Sequence, residues 1–566
     1  MVLPKKVTAF LLCLFSLTQV YSQTQTRPDA GDLLRQQTVK PSAASEPANA
    51  PITLPSSSAS QKFSQGPTVY VSTIVFKGNV ALSDELITAL LSPYFGRSLT
   101  LADLRNVAAE LEALYVNSGF LAKVTIPPQS ADAGVVRFDI QEAVFGRVIQ
   151  AAGDVRLSPD RASKVLASGQ VAGDPVSIPA LERSVLLLDD LPGVRAEGAL
   201  KEGDQPGQTD LLLKMSSSPI LVGAATLDNA GNRSSGSNRT NISVLMNSAL
   251  GMGEQVQLNG SKSQGASFLR LGLSAPVLYD GLRLSTYGSR LDYRLVSQEF
   301  AALQIEGSAK TLGLEATYPL VRTRLKNLYV SLGYESREFR NLSGADITSQ
   351  YRVKVGSAGI NGSLVDKLGG INTAALLVFS GKTDLEGSPN QSADAAGANT
   401  QGHYTKQRLS VSRLQTLPQG WFGFASAQLQ RANKNLDSSE RFSLGGLYGV
   451  RAYPAGEAPG TQAALASLEL RKTLFSGLNA TAFYDWGRIN AFKDNSATQT
   501  PLNSYSLKGA GVSLSWDKNL TELISAQVRA TLARRLGSNP GQTLDGKDQD
   551  GSKDENRLWL DAGLFF

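Results

Sequence analysis

From about Ile220 to Phe566 the chain is written in a two-residue period. Segments of roughly ten residues alternate apolar and polar side chains, and clusters of Gly, Asn and Ser separate them. In LISAQVRATL, Ile524, Ala526, Val528, Ala530 and Leu532 fall on one face, and Ser525, Gln527, Arg529 and Thr531 on the other. GAGVSLSWD sets Ala510, Val512, Leu514 and Trp516 against Gly511, Ser513, Ser515 and Asp517. QAALASLELRK sets Ala464, Ala466, Leu468 and Leu470 against Ser467, Glu469 and Arg471. A soluble β-sandwich would give the same alternation, so length and number must separate the two. About 16 such segments of roughly 9–11 residues suit tilted strands that cross a bilayer, and lipid tolerates no open sheet edge. The expectation for residues 218–566 is therefore a closed antiparallel transmembrane β-barrel of about 16 strands, apolar outside and polar toward a water-filled lumen. RLWLDAGLFF carries the alternation to Phe566, and a terminal aromatic of this kind resembles the signal by which bacterial outer-membrane barrels are recognised for insertion.

The other end of the chain fits export. MVLPKKVTAFLLCLFSLTQVYSQ has Lys5 and Lys6, an apolar run from Val7 to Leu17, and Val20 and Ser22 at the −3 and −1 positions of a cleavage site. This reads as a signal peptide over residues 1–22; the apolar run is shorter than the ~18 residues a membrane-spanning helix needs. Leu12 before Cys13 argues against a lipoprotein signal. Cys13 is the only cysteine of the 566 residues, so the mature chain is expected to have no disulfides or thiol chemistry. A net charge of +6 on this length gives no case for a nucleic-acid partner.

Between these ends, residues 23–66 combine a short helix candidate, PDAGDLLRQQ (about 28–38), with a linker rich in Ser, Pro and Ala. Asp29 is placed to cap the helix, Leu33 and Leu34 form its small apolar face, and Arg35 follows. Residues 67–145 read as β-α-α-β-β: VYVSTIVFKGN, SDELITALLSPYFG, an amphipathic LTLADLRNVAAELEALYVNSGF, then LAKVTIPPQ and GVVRFDIQEA. Residues 146–217 repeat that order, an internal duplication of structure without a catalytic cluster.

Enzyme motifs fail on inspection. His403 is the one histidine, too few for a His-based metal site, and no G-x-S-x-G elbow occurs. FSGKTD resembles the end of a phosphate-binding loop, but Leu376 occupies the position of its required earlier glycine. DGKDQDGSKDEN (Asp545 to Asn556) departs from EF-hand spacing and reads as a solvated surface loop. No catalytic residue, metal site or cofactor is expected.

Five features in order resemble the two-partner secretion transporters (TpsB family), outer-membrane pores of the POTRA-plus-barrel superfamily. PDAGDLLRQQ looks like the family's plug helix. The β-α-α-β-β units look like its two periplasmic POTRA domains, with LTLADL, LYVNSGF and IPPQ close to its usual phrasing. TLDNAGNRSSGSNR matches its first hairpin. LGGLYGVRAY, with Gly445, Gly446, Val450, Arg451 and Tyr453, resembles the VRGY motif of extracellular loop 6 (about 433–461), with Ala452 where the family has glycine. AFYDWG matches the barrel-wall motif through Phe483, Asp485 and Gly487. The alternation of that strand sends these three toward the lumen and Tyr484 and Trp486 toward lipid. What the resemblance implies is an Arg451–Asp485 pair anchoring an inward-folded loop 6. It also implies export of an unfolded hemolysin- or adhesin-like exoprotein without nucleotide, and partnership with outer-membrane lipid and the barrel-assembly machinery. A barrel-assembly insertase of the same superfamily is the alternative; two POTRA units and a plug argue for secretion.

Overall fold

The computed structural model describes residues 27–37, 52–53, 67–130, 133–151 and 153–566. The expected signal peptide and most of the linker lie outside the described residues.

Sixteen antiparallel strands close into a barrel. They are β1 (Leu221–Asp228), β2 (Arg239–Asn247), β3 (Gln255–Lys262), β4 (Ala266–Pro276), β5 (Arg283–Arg294), β6 (Ile305–Arg322), β7 (Lys326–Ser343) and β8 (Asp346–Val365). The circuit continues with β9 (Ile371–Asp384), β10 (Gly402–Leu417), β11 (Trp421–Ala432), β12 (Gln462–Phe475), β13 (Leu478–Asn490), β14 (Ser504–Asn519), β15 (Ser525–Arg535) and β16 (Asn556–Phe565). It closes where β1 meets β16, from Ala224 opposite Phe565 to Asp228 opposite Asp561. Among the described residues no helix is long and apolar enough to cross a membrane; the crossings are strands. The dyad sorts side chains by solvent. Leu468, Tyr484, Val512, Leu514 and Leu532 are exposed on the outer wall, and Phe483, Asp485 and Ala533 are buried inside. The longest strands far exceed what a crossing requires: β6 and β7 have 18 residues each and β8 has 20, against about 9–11 for a bilayer. Their upper parts stand beyond the apolar band.

The first α/β unit follows the expected order: Thr73–Lys77, α2 (Asp84–Leu91), α3 (Leu101–Asn117), Ala122–Thr125 and Val135–Glu142. A ribbon of Thr68–Val71 with Arg97–Thr100 is an addition the alternation did not reveal. Helix α3 starts where it does because Thr100 and Asp103 form a capping box, each side chain bonding the other's backbone N–H at 3.1 and 2.8 Å. Its Leu104, Val107, Leu111 and Tyr115 pack on Val136, Phe138 and Ile140 of the sheet. Glu142 accepts hydrogen bonds from the Val80 and Ala81 amides at 2.8 and 2.9 Å and from the Tyr115 hydroxyl at 2.9 Å. Burial, with that hydrogen bond, raises the Tyr115 phenol above its ordinary range.

The second unit repeats the order with Val144–Gln150, α4 (Pro159–Ala167), α5 (Ile178–Asp189), Val194–Glu202 and Gln208–Ser217. Ile52–Thr53 adds in parallel to the edge strand Val194–Glu202, so this stretch, expected as free linker, is part of a sheet. The second unit also docks on the barrel. The Arg322 guanidinium donates to both Asp190 oxygens at 2.7 Å, and Arg183 and Arg161 donate to the Pro319 and Pro276 carbonyls at 2.8 and 2.7 Å. Those contacts lie at the ends of β4 and β6, which defines the rim that carries both units.

Candidate functional site

Residues 433–461, the sixth connection at the opposite rim, fold back into the barrel. Gly446, at φ +113°, supplies a backbone turn that L side chains rarely adopt. Around it the Val450 amide donates to the Leu444 carbonyl at 2.7 Å and the Gly446 amide to the Tyr453 carbonyl at 3.1 Å. Gly445 forms a bridge with Val450. This tight tip points Arg451 at the wall.

Arg451 and Asp485 meet as a bidentate pair, Nε to Oδ2 at 2.8 Å and Nη2 to Oδ1 at 2.7 Å. The Arg451 amide and the Ser467 hydroxyl also donate to that carboxylate, at 3.1 and 2.7 Å. Three ligands of the guanidinium were not anticipated: Glu469, which accepts from Nη1 at 2.8 Å, the Ser467 hydroxyl, which accepts from Nη2 at 3.0 Å, and the Phe483 ring, whose centroid lies 3.5 Å away. The Trp559 indole donates to the Arg451 carbonyl at 2.8 Å, tying the tip to β16 beside the closing seam. Glu469 lies on the polar face already read from QAALASLELRK, so its lumenal side was visible; its partner was not. With the Asp485 side chain fully buried, the pair holds only because its donors are satisfied on the spot.

Close approach explains the small residues here. A Cβ on Gly487 would stand 2.7 Å from a Leu444 methyl, so loop 6 fits because that position has no side chain. Ala452, the departure from VRGY, is buried and is not among the positive-φ residues, so its methyl does not strain the backbone. Its methyl is received by Gly509 of β14, where an added Cβ would lie 2.7 Å from it. Tyr453 is buried under the Arg535 guanidinium, 4.6 Å from its ring centre.

Loop 6 has two further anchors that sequence reasoning missed. Glu440 is buried and pairs with both Arg337 of β7 and Lys406 of β10. Glu457 accepts from Asn539 Nδ2 at 2.8 Å and from the Gln549 amide at 2.9 Å, both in the connection 536–555. The acidic stretch of that connection is therefore not a wholly solvated loop: Asp548, Gln549 and Asp550 are buried, and Asp548 pairs with Arg535. The acids serve as partners to buried cations, which a count of charges could not reveal.

Helix α1 (Ala30–Gln36) lies in the same half of the lumen. Asp29 caps it, accepting from the Asp32 amide at 2.9 Å, and also accepts from Ser438 Oγ of loop 6 at 2.8 Å. The Ala30 amide donates to Asn341 Oδ1 at 2.9 Å, and Arg35 pairs with Asp32 at 2.8 Å. Leu33 and Leu34 pack in a cluster with Tyr293, Phe339 and Tyr351 from the strands. Below Arg451, toward the rim with the α/β units, the lumen opens into a cavity of about 590 Å³ whose wall includes Arg471, Ser513, Ser515, Asp517 and Arg529.

A sixteen-stranded barrel on two POTRA units, stoppered at the far end by its own loop and a separate helix, is the form of an outer-membrane polypeptide transporter. The profile of the haemolysin secretion/activation proteins ShlB/FhaC/HecB matches residues 207–516, and that of the ShlB-type POTRA domain matches 69–143. The chain belongs to this family, the outer-membrane transporters of two-partner secretion, with its POTRA domains in the periplasm. It is 28% identical over 556 residues to the heme/hemopexin transporter protein HuxB of Haemophilus influenzae, covering 94% of each chain. It is 23% identical over 481 residues to the outer membrane transporter CdiB of Escherichia coli, covering 82% of this chain and 80% of that one. The solved structure of CdiB from Escherichia coli superposes with a TM-score of 0.73 at 20% identity over 95% and 96% of the two chains.

Proposed function

We propose that the chain exports its exoprotein as an extended polypeptide, captured by the POTRA units and passed through the barrel without catalysis, nucleotide or cofactor. Residues 67–145 and 146–217 serve as the two capture modules, 23–66 as plug and tether, and 218–566 as the pore. A groove of about 690 Å³ between α3 and the edge strand Ala122–Thr125, lined by Leu104, Ala108, Ile126 and Pro127, suits an added strand. The second unit's corresponding sheet already carries Ile52–Thr53, which leaves the first as the receiving module. Arg451 with Asp485 holds loop 6 across the lumen, and Gly445, Gly446, Val450, Ala452, Tyr453, Phe483 and Gly487 shape that contact. Asp29, Leu33, Leu34 and Arg35 seat a helix that leaves or shifts during export. The observation that carries this reading is the stoppered lumen: the backbone that crosses its outer half belongs to loop 6 and to a helix outside the barrel's strands, both packed on strand side chains.

Hemolysin- or adhesin-like exoproteins are the expected cargo class, and the HuxB relative adds cargo serving heme or hemopexin transport. Outer-membrane lipid and the barrel-assembly machinery, acting on the strand that ends at Phe566, complete the partners. The test is export of a candidate exoprotein from cells making it with and without this chain. Surface or medium delivery is expected only with the chain; equal delivery without it ends the proposal.

A further inference from the structure

The outer wall of the long strands carries charge where a transmembrane wall normally ends. Going outward along β6, the lipid-facing residues are Leu314, Leu312 and then Lys310; along β8 they run from Ile360 through Ala358 and Gly356 to Lys354. On β9 they are Leu376, Val378, Ser380 and Lys382. The leucines, Ile360 and Val378 are exposed, as are the lysines above them, while the alternating Thr311, Val353 and Val355 are buried. The cations thus start at the top of the apolar band, at headgroup depth on the side away from the POTRA units.

Their neighbours neutralise them only in part, since the one acid directly opposite, Glu338 across from Lys310, is shared with Arg352 on its other side. Lys354 stands directly opposite Lys382, a like-charge pair that destabilises a sheet unless something anionic covers it. Glu338 is engaged by Arg352, and among the described residues no ion pair involves Lys310, Arg340, Lys354 or Lys382. Arg340 is paired across the strands with Gln350. These four cations on β6–β9 point to the lipid annulus, not the lumen, so the passing exoprotein does not meet them.

We infer that this patch binds a phosphorylated glycolipid of the outer leaflet, with Lys310, Arg340, Lys354 and Lys382 as ligands of its headgroup phosphates. Lys and Arg at a membrane surface are the residues that hold phosphate, and Arg offers a paired donor geometry that matches it. Acyl chains from the same molecule lie on Leu312, Leu314, Ile360 and Leu376 below. The inference rests on the proposed partnership with outer-membrane lipid and narrows it to one headgroup chemistry and one sector of the wall.

The test uses purified full-length protein in detergent, titrated with diphosphorylated lipid A and followed by native mass spectrometry. Replacing all four residues with Gln is expected to weaken binding at least about tenfold. A charge-matched control with Lys77, Lys123, Lys201 and Lys214 of the POTRA units replaced by Gln is expected to bind as the unaltered protein does. Unaltered protein is also expected to bind dephosphorylated lipid A at least about tenfold more weakly, a comparison that needs no variant to fold. Equal binding by the patch variant, an equal loss in the control, or indifference to the phosphates would each overturn the assignment; the last would leave a lipid partnership standing without phosphate recognition.

Discussion

The two halves of one lumen are built on opposite principles. Toward the outside, the charged groups that anchor loop 6 and α1 meet designated partners: Arg451 with Asp485 and Glu469, Glu440 with Arg337 and Lys406, Glu457 with Asn539, Asp29 with Ser438. Toward the periplasm the same strands line a hollow of about 590 Å³ with hydroxyls, amides and charges interspersed with Leu414, Phe422 and Phe424. The difference separates a seal from a passage. A seal must be specific and hold against thermal motion, so it uses buried ion pairs that cost desolvation unless fully satisfied. A passage must accommodate many sequences, so it mixes polar, charged and apolar side chains around open space.

The largest effect should come from breaking the central pair. Arg451→Ala leaves the Asp485 carboxylate buried and unpaired, a loss of about 3–5 kcal/mol in local stability. Thermal melting should fall and export of the cognate exoprotein should drop severalfold; wild-type values for both would remove Arg451 as the anchor. The charge swap Arg451→Asp with Asp485→Arg should restore only part, because an acid at 451 faces Glu469 and the Phe483 ring. Full restoration would mean that these two neighbours contribute nothing.

A smaller effect is expected at the Ala452–Gly509 contact. Gly509→Ala should cost about 1–3 kcal/mol by overpacking, and Ala452→Gly should relieve most of it. Additive losses in that double-mutant cycle would show that the two do not touch in solution. Next, Asn539→Ala removes a donor from buried Glu457 and should cost about 1–3 kcal/mol, detected as increased protease access to residues 433–461. Ser515→Ala, on the hollow side, should stay within about 0.5 kcal/mol of the parent in denaturant melts. A loss equal to that of Asn539→Ala would abolish the contrast between the halves.

The barrel and the duplicated α/β order were readable because a two-residue period and helical periods report directly on which face each residue shows. Phe483, Asp485 and Gly487 fell on the lumenal face by the same rule. Partner choice is different, because it depends on which distant strand closure brings opposite. Glu469 was on the right face but unassigned, Trp559 sits 108 positions from Arg451, and Glu440 meets its cations only once the barrel has closed. The acidic run near Asp548 misled for a related reason, since local charge density suggests solvent, whereas burial beside Arg535 is a tertiary fact. Ala452 shows the reverse: the missing glycine is harmless because Gly509 on a neighbouring strand makes the room.

Single-channel conductance in planar bilayers, comparing the full chain with a variant lacking residues 28–38, tests the sealed outer half most directly. The helix caps and packs against loop 6 and the strands, so its removal should raise the mean conductance severalfold while heat-modifiable mobility stays that of a folded barrel. Unchanged conductance from a folded variant would contradict the account, because α1 would then not be part of the seal.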